Sequence, residues 1–255
     1  MTDLAMRDLS KRFGGVRAVD RLTFDVPAGR VTGFLGPNGA GKTTTLRMLL
    51  GLIRPTGGQA LIGGQRYRQL ARPRRVVGAM LEATGFHPGR RGIDHLRILA
   101  QVTGVPAARV DEVLRQVQLT DGARRRIGGY SLGMRQRLGL AGALLGDPAV
   151  LVLDEPANGL DPAGMAWLRG LMRDLAAEGR TILVSSHVLS EVAQTVDQVV
   201  IVHEGQLRFA GPVSELTRSG ASLEVAFLRL TGVGPDVPEP VAAATSDGQP
   251  GSEPC

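Results

Sequence analysis

Two short stretches of this 255-residue chain carry residue types that can hold and attack a phosphate. Gly36-Pro37-Asn38-Gly39-Ala40-Gly41-Lys42-Thr43 has the spacing G-x-x-x-x-G-K-[ST]. Glycines there let the backbone curl, so that several N–H groups and the start of a following helix, at Thr44, converge on a polyphosphate. Lys42 adds a positive charge and Thr43 a hydroxyl able to ligate Mg²⁺. The expected ligand is a nucleoside triphosphate. The second stretch, Val150-Leu151-Val152-Leu153-Asp154-Glu155, ends an apolar run with two carboxylates. Asp154 is placed to hold Mg²⁺, directly or through water. Glu155, one residue on and turned to the other side of the chain, can polarise a water for attack on the γ-phosphorus. The same pair could open a helix at Pro156, but the phosphate loop upstream favours the chemical role.

Strands and helices must place these groups together. Val31 to Leu35 reads as a buried strand feeding the phosphate loop, and Thr44 to Leu50 as the opening of a helix. Leu4 to Leu9 and Leu22 to Val26 read as strands either side of a turn at Gly14-Gly15, and Gln59 to Ile62 and Val76 to Leu81 as two more. From Gly92 the period becomes helical: Ile93, Leu96, Leu99 and Ala100, then Val110, Val113, Leu114 and Val117. Ala149 to Leu153 is apolar throughout, as strands buried in parallel sheets are. Ala163 to Ala177 is an amphipathic helix, and Thr181 to Val184 and Val199 to His203 continue the alternation. The expected fold is α/β with a parallel sheet, preceded by an antiparallel β subdomain and interrupted by a helical insert over about 90–146. The folded domain is expected over 1–231. The segment 232–255, with five prolines and no base, is expected to be disordered.

Composition narrows the setting. Apolar residues make up 43% of the chain, enough for a substantial core. The single cysteine, Cys255, excludes an intrachain disulfide and suits a reducing cytoplasm. No charged-then-apolar leader opens the chain, and no apolar run reaches the roughly 18 residues that span a bilayer. The chain is therefore expected to be neither secreted nor membrane-spanning. Net charge is +6, and without the tail carboxylates Asp236, Glu239, Asp247 and Glu253 the body stands at +10. That charge fits a nucleic acid or an anionic membrane nearby, and equally a genome-wide preference for arginine, since lysine occurs only at 11 and 42.

Between the two phosphate motifs lies Tyr130-Ser131-Leu132-Gly133-Met134-Arg135-Gln136-Arg137. Ser131 suits a helix N-cap, and the same hydroxyl, glycine amide and helix N-terminus suit an anion. With these motifs in this order, residues 4 to 232 resemble the ATP-binding-cassette ATPases. Ser131-Leu132-Gly133-Met134 is similar to the family signature Leu-Ser-Gly-Gly-Gln, matching at Ser131 and Gly133 and departing at Tyr130, Leu132 and Met134. Asn158-Gly159-Leu160-Asp161 looks like the D-loop, and His187 after Ser185-Ser186 like the switch histidine, which holds the γ-phosphate and the attacking water. Phe13 occupies the place of the aromatic that stacks on adenine. His87, His95 and His203 have no such context.

Val77-Gly78-Ala79-Met80-Leu81-Glu82 departs from the family, which usually ends this stretch in a glutamine that reaches Mg²⁺ and links it to a membrane subunit. A glutamate can ligate Mg²⁺ but cannot donate an amide hydrogen bond. Glu82 followed by Gly85-Phe86-His87-Pro88 resembles the bacitracin- and daunorubicin-resistance type of bacterial exporter cassette. Phe86 and Pro88 suit either a contact with a short helix of a membrane partner or local core. Arg124-Arg125-Arg126 suits a solvated face.

The resemblance implies an ATP- and Mg²⁺-dependent hydrolase lying on the cytoplasmic face of the membrane. Two copies, or this chain and a similar cassette, would pair head to tail, with ATP between the phosphate loop of one and Ser131 and Gly133 of the other. Closure on ATP would drive a separate integral-membrane permease. A second class is a soluble cassette ATPase acting on ribosomes or DNA. Those chains usually carry tandem cassettes or a long helical insertion between the phosphate motifs. This chain has neither, so no nucleic-acid partner is expected.

Overall fold

The structure, a computed structural model, describes residues 2–81, 85–186, 189–218 and 220–232. Along the chain run β1 (Leu4–Phe13), β2 (Val16–Val26), β3 (Val31–Leu35), α1 (Lys42–Leu49), β4 (Gly57–Ile62), α2 (Pro73–Val76) and β5 (Val77–Met80). Then come α3 (Gly92–Thr103), α4 (Ala108–Gln116), α5 (Leu132–Leu144), β6 (Val150–Asp154), α6 (Pro162–Ala177) and β7 (Thr181–Ser186). The last are α7 (Leu189–Ala193), β8 (Gln198–His203), β9 (Gln206–Pro212), α8 (Val213–Leu216) and α9 (Leu223–Thr231).

Two sheets form the body. A three-stranded antiparallel sheet has the order β2-β1-β4, and a six-stranded sheet the order β5-β6-β7-β3-β8-β9. In the larger sheet β5, β6, β7, β3 and β8 are parallel, as the apolar runs at Val31–Leu35 and Val150–Leu153 predict. β9 adds one antiparallel strand at the edge, running along β8. Glu204 and Gly205 between them both have positive φ (51° and 74°), which makes a tight hairpin and leaves no length for a crossover.

The core fills both faces of the larger sheet. On one face Phe34, Val152, Leu183 and Val200 meet α1 and the inner residues of the small sheet, with the Phe24 and Phe34 rings 5.7 Å apart. On the other, Leu35, Leu151, Leu153 and Ile182 meet α5, α6 and the α3–α4 pair. β3 and β6 are buried at every position, which is why neither shows polar alternation. Burial of each such aliphatic side chain contributes about 1.5–3 kcal/mol. Among the described residues no helix is long and apolar enough to cross a membrane.

Register decides where chemistry can occur. Leu35 pairs with Ser186 and Asp154 with Ser185, so the chain leaves β3, β6 and β7 at one level of the sheet. Loops at the carboxyl ends of adjacent parallel strands open into one crevice.

Candidate functional site

The phosphate loop leaves the carboxyl end of β3 and re-enters structure at α1. A cavity of about 240 Å³ lies at this turn, lined by Pro37 to Thr44, by Ala18 from β2, and by Asp154 and Glu155 from the end of β6. Gly41 is the N-cap of α1 with φ +98°, a left-handed value that favours glycine. A Cβ there would fall within 3.0 Å of the Ala18 carbonyl oxygen, so the residue must be glycine for space as well as for conformation. Gly39 also has positive φ (83°) but faces open space. Gly36 packs on the Val202 backbone, again without room for a side chain. Asn38 is exposed at the tip.

Lys42 is buried at 7% exposure, and its Nζ donates to the carbonyls of Gly36 (2.6 Å) and Pro37 (3.3 Å). Burial holds the ammonium below its ordinary pKa of 10.5, against the opposing pull of Glu155 and Asp154. A largely desolvated cation in the phosphate loop is well suited to an anionic ligand.

Asp154 is held on both carboxylate oxygens. Thr43 Oγ1 donates to its Oδ2 at 2.8 Å, and Ser185 Oγ donates a short bond to its Oδ1. The Glu155 amide N–H donates in turn to Ser185 Oγ at 3.0 Å. Glu155 adopts φ +51°, uncommon outside glycine, and the Ser185 hydroxyl anchors the backbone in that turn. Ser185 thus fixes both acidic residues from the neighbouring strand. It was not among the expected site residues, although its place at the end of β7, next to β6 in the sheet, is a signal for it. Ala18 is a second such residue, marked by nothing in its type. Thr43 and Asp154 are hard oxygen donors side by side, the kind Mg²⁺ takes. Among the described residues no three His, Cys, Asp or Glu side chains cluster as a metal cage.

Ser131 and Gly133 lie elsewhere. Ser131 caps α5, its Oγ accepting from the Met134 N–H at 3.2 Å, and it is exposed. Gly133 packs 3.2 Å, measured from an ideal Cβ, from the Gly159 carbonyl oxygen. Leu132, 52% exposed, rests on Gly159, whose φ of +76° and missing side chain admit it. Of the departures from the family pattern, Tyr130 is buried and donates to the Gly122 carbonyl at 2.8 Å, and Met134 packs on the core. Asp161 caps α6 by accepting from the Gly164 N–H at 2.9 Å. Arg137 on α5 stacks over Trp167 of α6 with 4.1 Å to the ring centroid, and donates to the Val117 carbonyl (2.9 Å) and Gln118 Oε1 (3.1 Å). The signature segment is therefore braced against the D-loop segment of its own chain.

Phe13 ends β1 with its ring 49% exposed and Lys11 Nζ 4.9 Å from its centroid, outside the residues that line the phosphate cavity. Glu82 and His187 lie outside the described residues. Phe86 packs edge-on against His95 (5.2 Å between ring centres) and joins Met80, Leu99, Leu138 and Gly139 along a groove of about 340 Å³ between the sheet and the helical insert. Arg124, Arg125 and Arg126 are exposed, as expected of a solvated face.

Comparison with known proteins agrees with this geometry. The family described as "ABC transporter" matches residues 19–158. The "Bacitracin transport ATP-binding protein BcrA" of Bacillus licheniformis is 45% identical over 220 residues, 85% of this chain and 72% of that protein. The "Lantibiotic transport ATP-binding protein SrtF" of Streptococcus pyogenes is 34% identical over 204 residues, 80% of this chain and 88% of that one. A solved "ATP binding subunit of ABC transporter" superposes with TM-score 0.81 at 30% identity, covering 89% of this chain and 98% of its own. With a phosphate loop, a strand-end acidic pair and a signature helix on one scaffold, the chain belongs to the ABC transporter family as an ATP-binding, ATP-hydrolysing subunit.

Proposed function

We propose that the chain powers the export of a peptide antibiotic through a separate membrane permease, working as a dimer with ATP sandwiched between subunits. Two relatives named for bacitracin and lantibiotic transport support the substrate class. The observation that carries the dimer is the incompleteness of the phosphate cavity. At about 240 Å³ it is smaller than the roughly 300–1,000 Å³ usual for ligand pockets. It contains neither Ser131 nor Gly133, which stand at the outer end of α5. A second copy, or a similar cassette, turned head to tail would supply them.

Within that composite site the loop residues 36–44 and Lys42 hold the phosphates and the exposed Phe13 ring stacks on adenine. Ser131 and Gly133 reach the γ-phosphate from the facing subunit, with Asp161 at the seam. Thr43 and Asp154 hold Mg²⁺, which supplies charge neutralisation at the phosphates when bound, and Glu82 is assigned as a further ligand from sequence. Glu155 takes the proton of the attacking water, and His187, assigned from sequence, holds that water and the γ-phosphate. The groove at Phe86 receives a short helix of the permease, which places the subunit at the inner membrane surface. Closure on ATP and opening after hydrolysis then move the permease.

Glu155→Gln tests this directly. The carboxamide keeps size and shape but cannot take the proton, so ATP binding is retained, turnover is lost and an ATP-bound dimer accumulates on size-exclusion chromatography. Steady-state hydrolysis equal to the parent's would remove Glu155 from the chemistry.

A further inference from the structure

From Val26 to Leu81 the chain holds nine lysines and arginines and no aspartate or glutamate. The fold gathers three of these cations at one hollow, and two more follow close behind in the chain. Arg54, Arg66 and Arg68 line a hollow of about 580 Å³ between the end of α1 and β4, and Arg72 and Arg75 follow at α2. Arg66, Arg68, Arg72 and Arg75 are exposed. None of the five pairs with a carboxylate among the described residues. Their hydrogen bonds go to neutral groups: Arg66 to Gln59 Oε1 (3.0 Å), Arg68 to the Gly51 carbonyl (3.4 Å) and Arg75 to the Gly104 carbonyl (3.0 Å). By contrast Arg7, Arg17, Arg97, Arg109 and Arg180 all have acidic partners.

Two further features point to what this face meets. Tyr67 lines both the basic hollow and the Phe86 groove, so the patch is continuous with the surface assigned above to the membrane partner. Leu52, two residues before Arg54, stands 66% exposed. Guanidinium groups without acidic partners, with an exposed aliphatic side chain two residues from one of them, match a headgroup layer, which offers anionic phosphate oxygens above hydrocarbon. We infer that this face rests on the anionic phospholipid surface beside the permease. The inference depends on the proposed placement at a permease, but the charge pattern can be tested without one.

The test is sedimentation of the full chain with vesicles of phosphatidylcholine alone or with 30 mol% phosphatidylglycerol (about that composition suffices to give a strong surface potential). Binding is expected only to the anionic vesicles, falling steeply when salt is raised, because screening shortens the reach of exposed charges. Arg66→Ala/Arg68→Ala/Arg72→Ala should reduce binding at least tenfold with basal ATP hydrolysis unchanged. Arg208→Ala/Arg218→Ala/Arg229→Ala removes the same charge around β9, α8 and α9, at the opposite edge of the large sheet, and should bind nearly as the parent does. Equal loss in both triple variants would reduce the effect to net charge and overturn the inference. So would equal binding to neutral vesicles, or a patch that captures an acidic peptide such as poly-glutamate while ignoring lipid. Failure of Glu155→Gln to trap a dimer would count against the proposed ATPase cycle and leave the vesicle result standing.

Discussion

Replacing Gly39 and Gly41 separately by alanine isolates what the Ala18 wall contributes to the phosphate loop. Both glycines hold positive φ, +83° and +98°, which costs an alanine about 1–2 kcal/mol. Both substitutions also stiffen the unfolded chain to the same degree, so that effect cancels between them. Only at position 41 does the new methyl group run into backbone, the Ala18 carbonyl oxygen, with Val19 Cγ2 at 3.2 Å behind it. Strand β2 or the start of α1 must then give way, at about 1–3 kcal/mol for an overpacked site. For a domain of this size each kcal/mol shifts the melting temperature by roughly 2–4 °C. Gly41→Ala should therefore melt about 2–12 °C below Gly39→Ala in calorimetry, and should bind ATP more weakly, because Ala18 lines the phosphate cavity. Equal melting temperatures would refute the close approach as the reason for glycine at 41.

Two further outcomes are expected. Burial lowers the Lys42 ammonium below 10.5 and bound phosphates favour its charged form, so ATP binding takes up protons and affinity falls as pH climbs toward 10.5. A titration flat from neutral to that pH would contradict this, as would unchanged affinity in Lys42→Ala. Arg137→Lys keeps the charge but loses the planar stack on Trp167, a cost of about 1–2 kcal/mol. Trp167 is the only tryptophan, so its emission should move, and an unchanged spectrum and melting temperature would deny the brace.

The buried strands were legible because burial on both faces removes polar alternation. Val31–Leu35 and Val150–Leu153 could hardly be anything else. The outer half of β2 was not, since Arg17, Asp20 and Arg21 leave Val19 as its one fully buried side chain, and pairing with β1 holds it in the sheet. β9 and α9 also lay outside the expected elements. Yet Leu207 and Phe209 alternate with exposed residues as an edge strand does, and Ser222 caps a helix whose Leu223, Phe227 and Leu230 turn to the core. In the site, residues bound by fixed spacing were legible: the loop, Asp154 and Glu155. Ser185 and Ala18 were not, because they reach the crevice through sheet register and strand proximity, which no local pattern encodes.

The strand order has a consequence for how the molecule opens. β6, β7 and β3, which carry the acidic pair, Ser185 and the phosphate loop, are adjacent and interior, while β5 and β9 form the edges. Backbone amides of the three inner strands are expected to exchange with solvent mainly through unfolding of the whole domain, and those of the edge strands and the helices beside them through local opening. The phosphate grip is thus rooted in interior strands, and the groove beside β5 at an edge of the sheet.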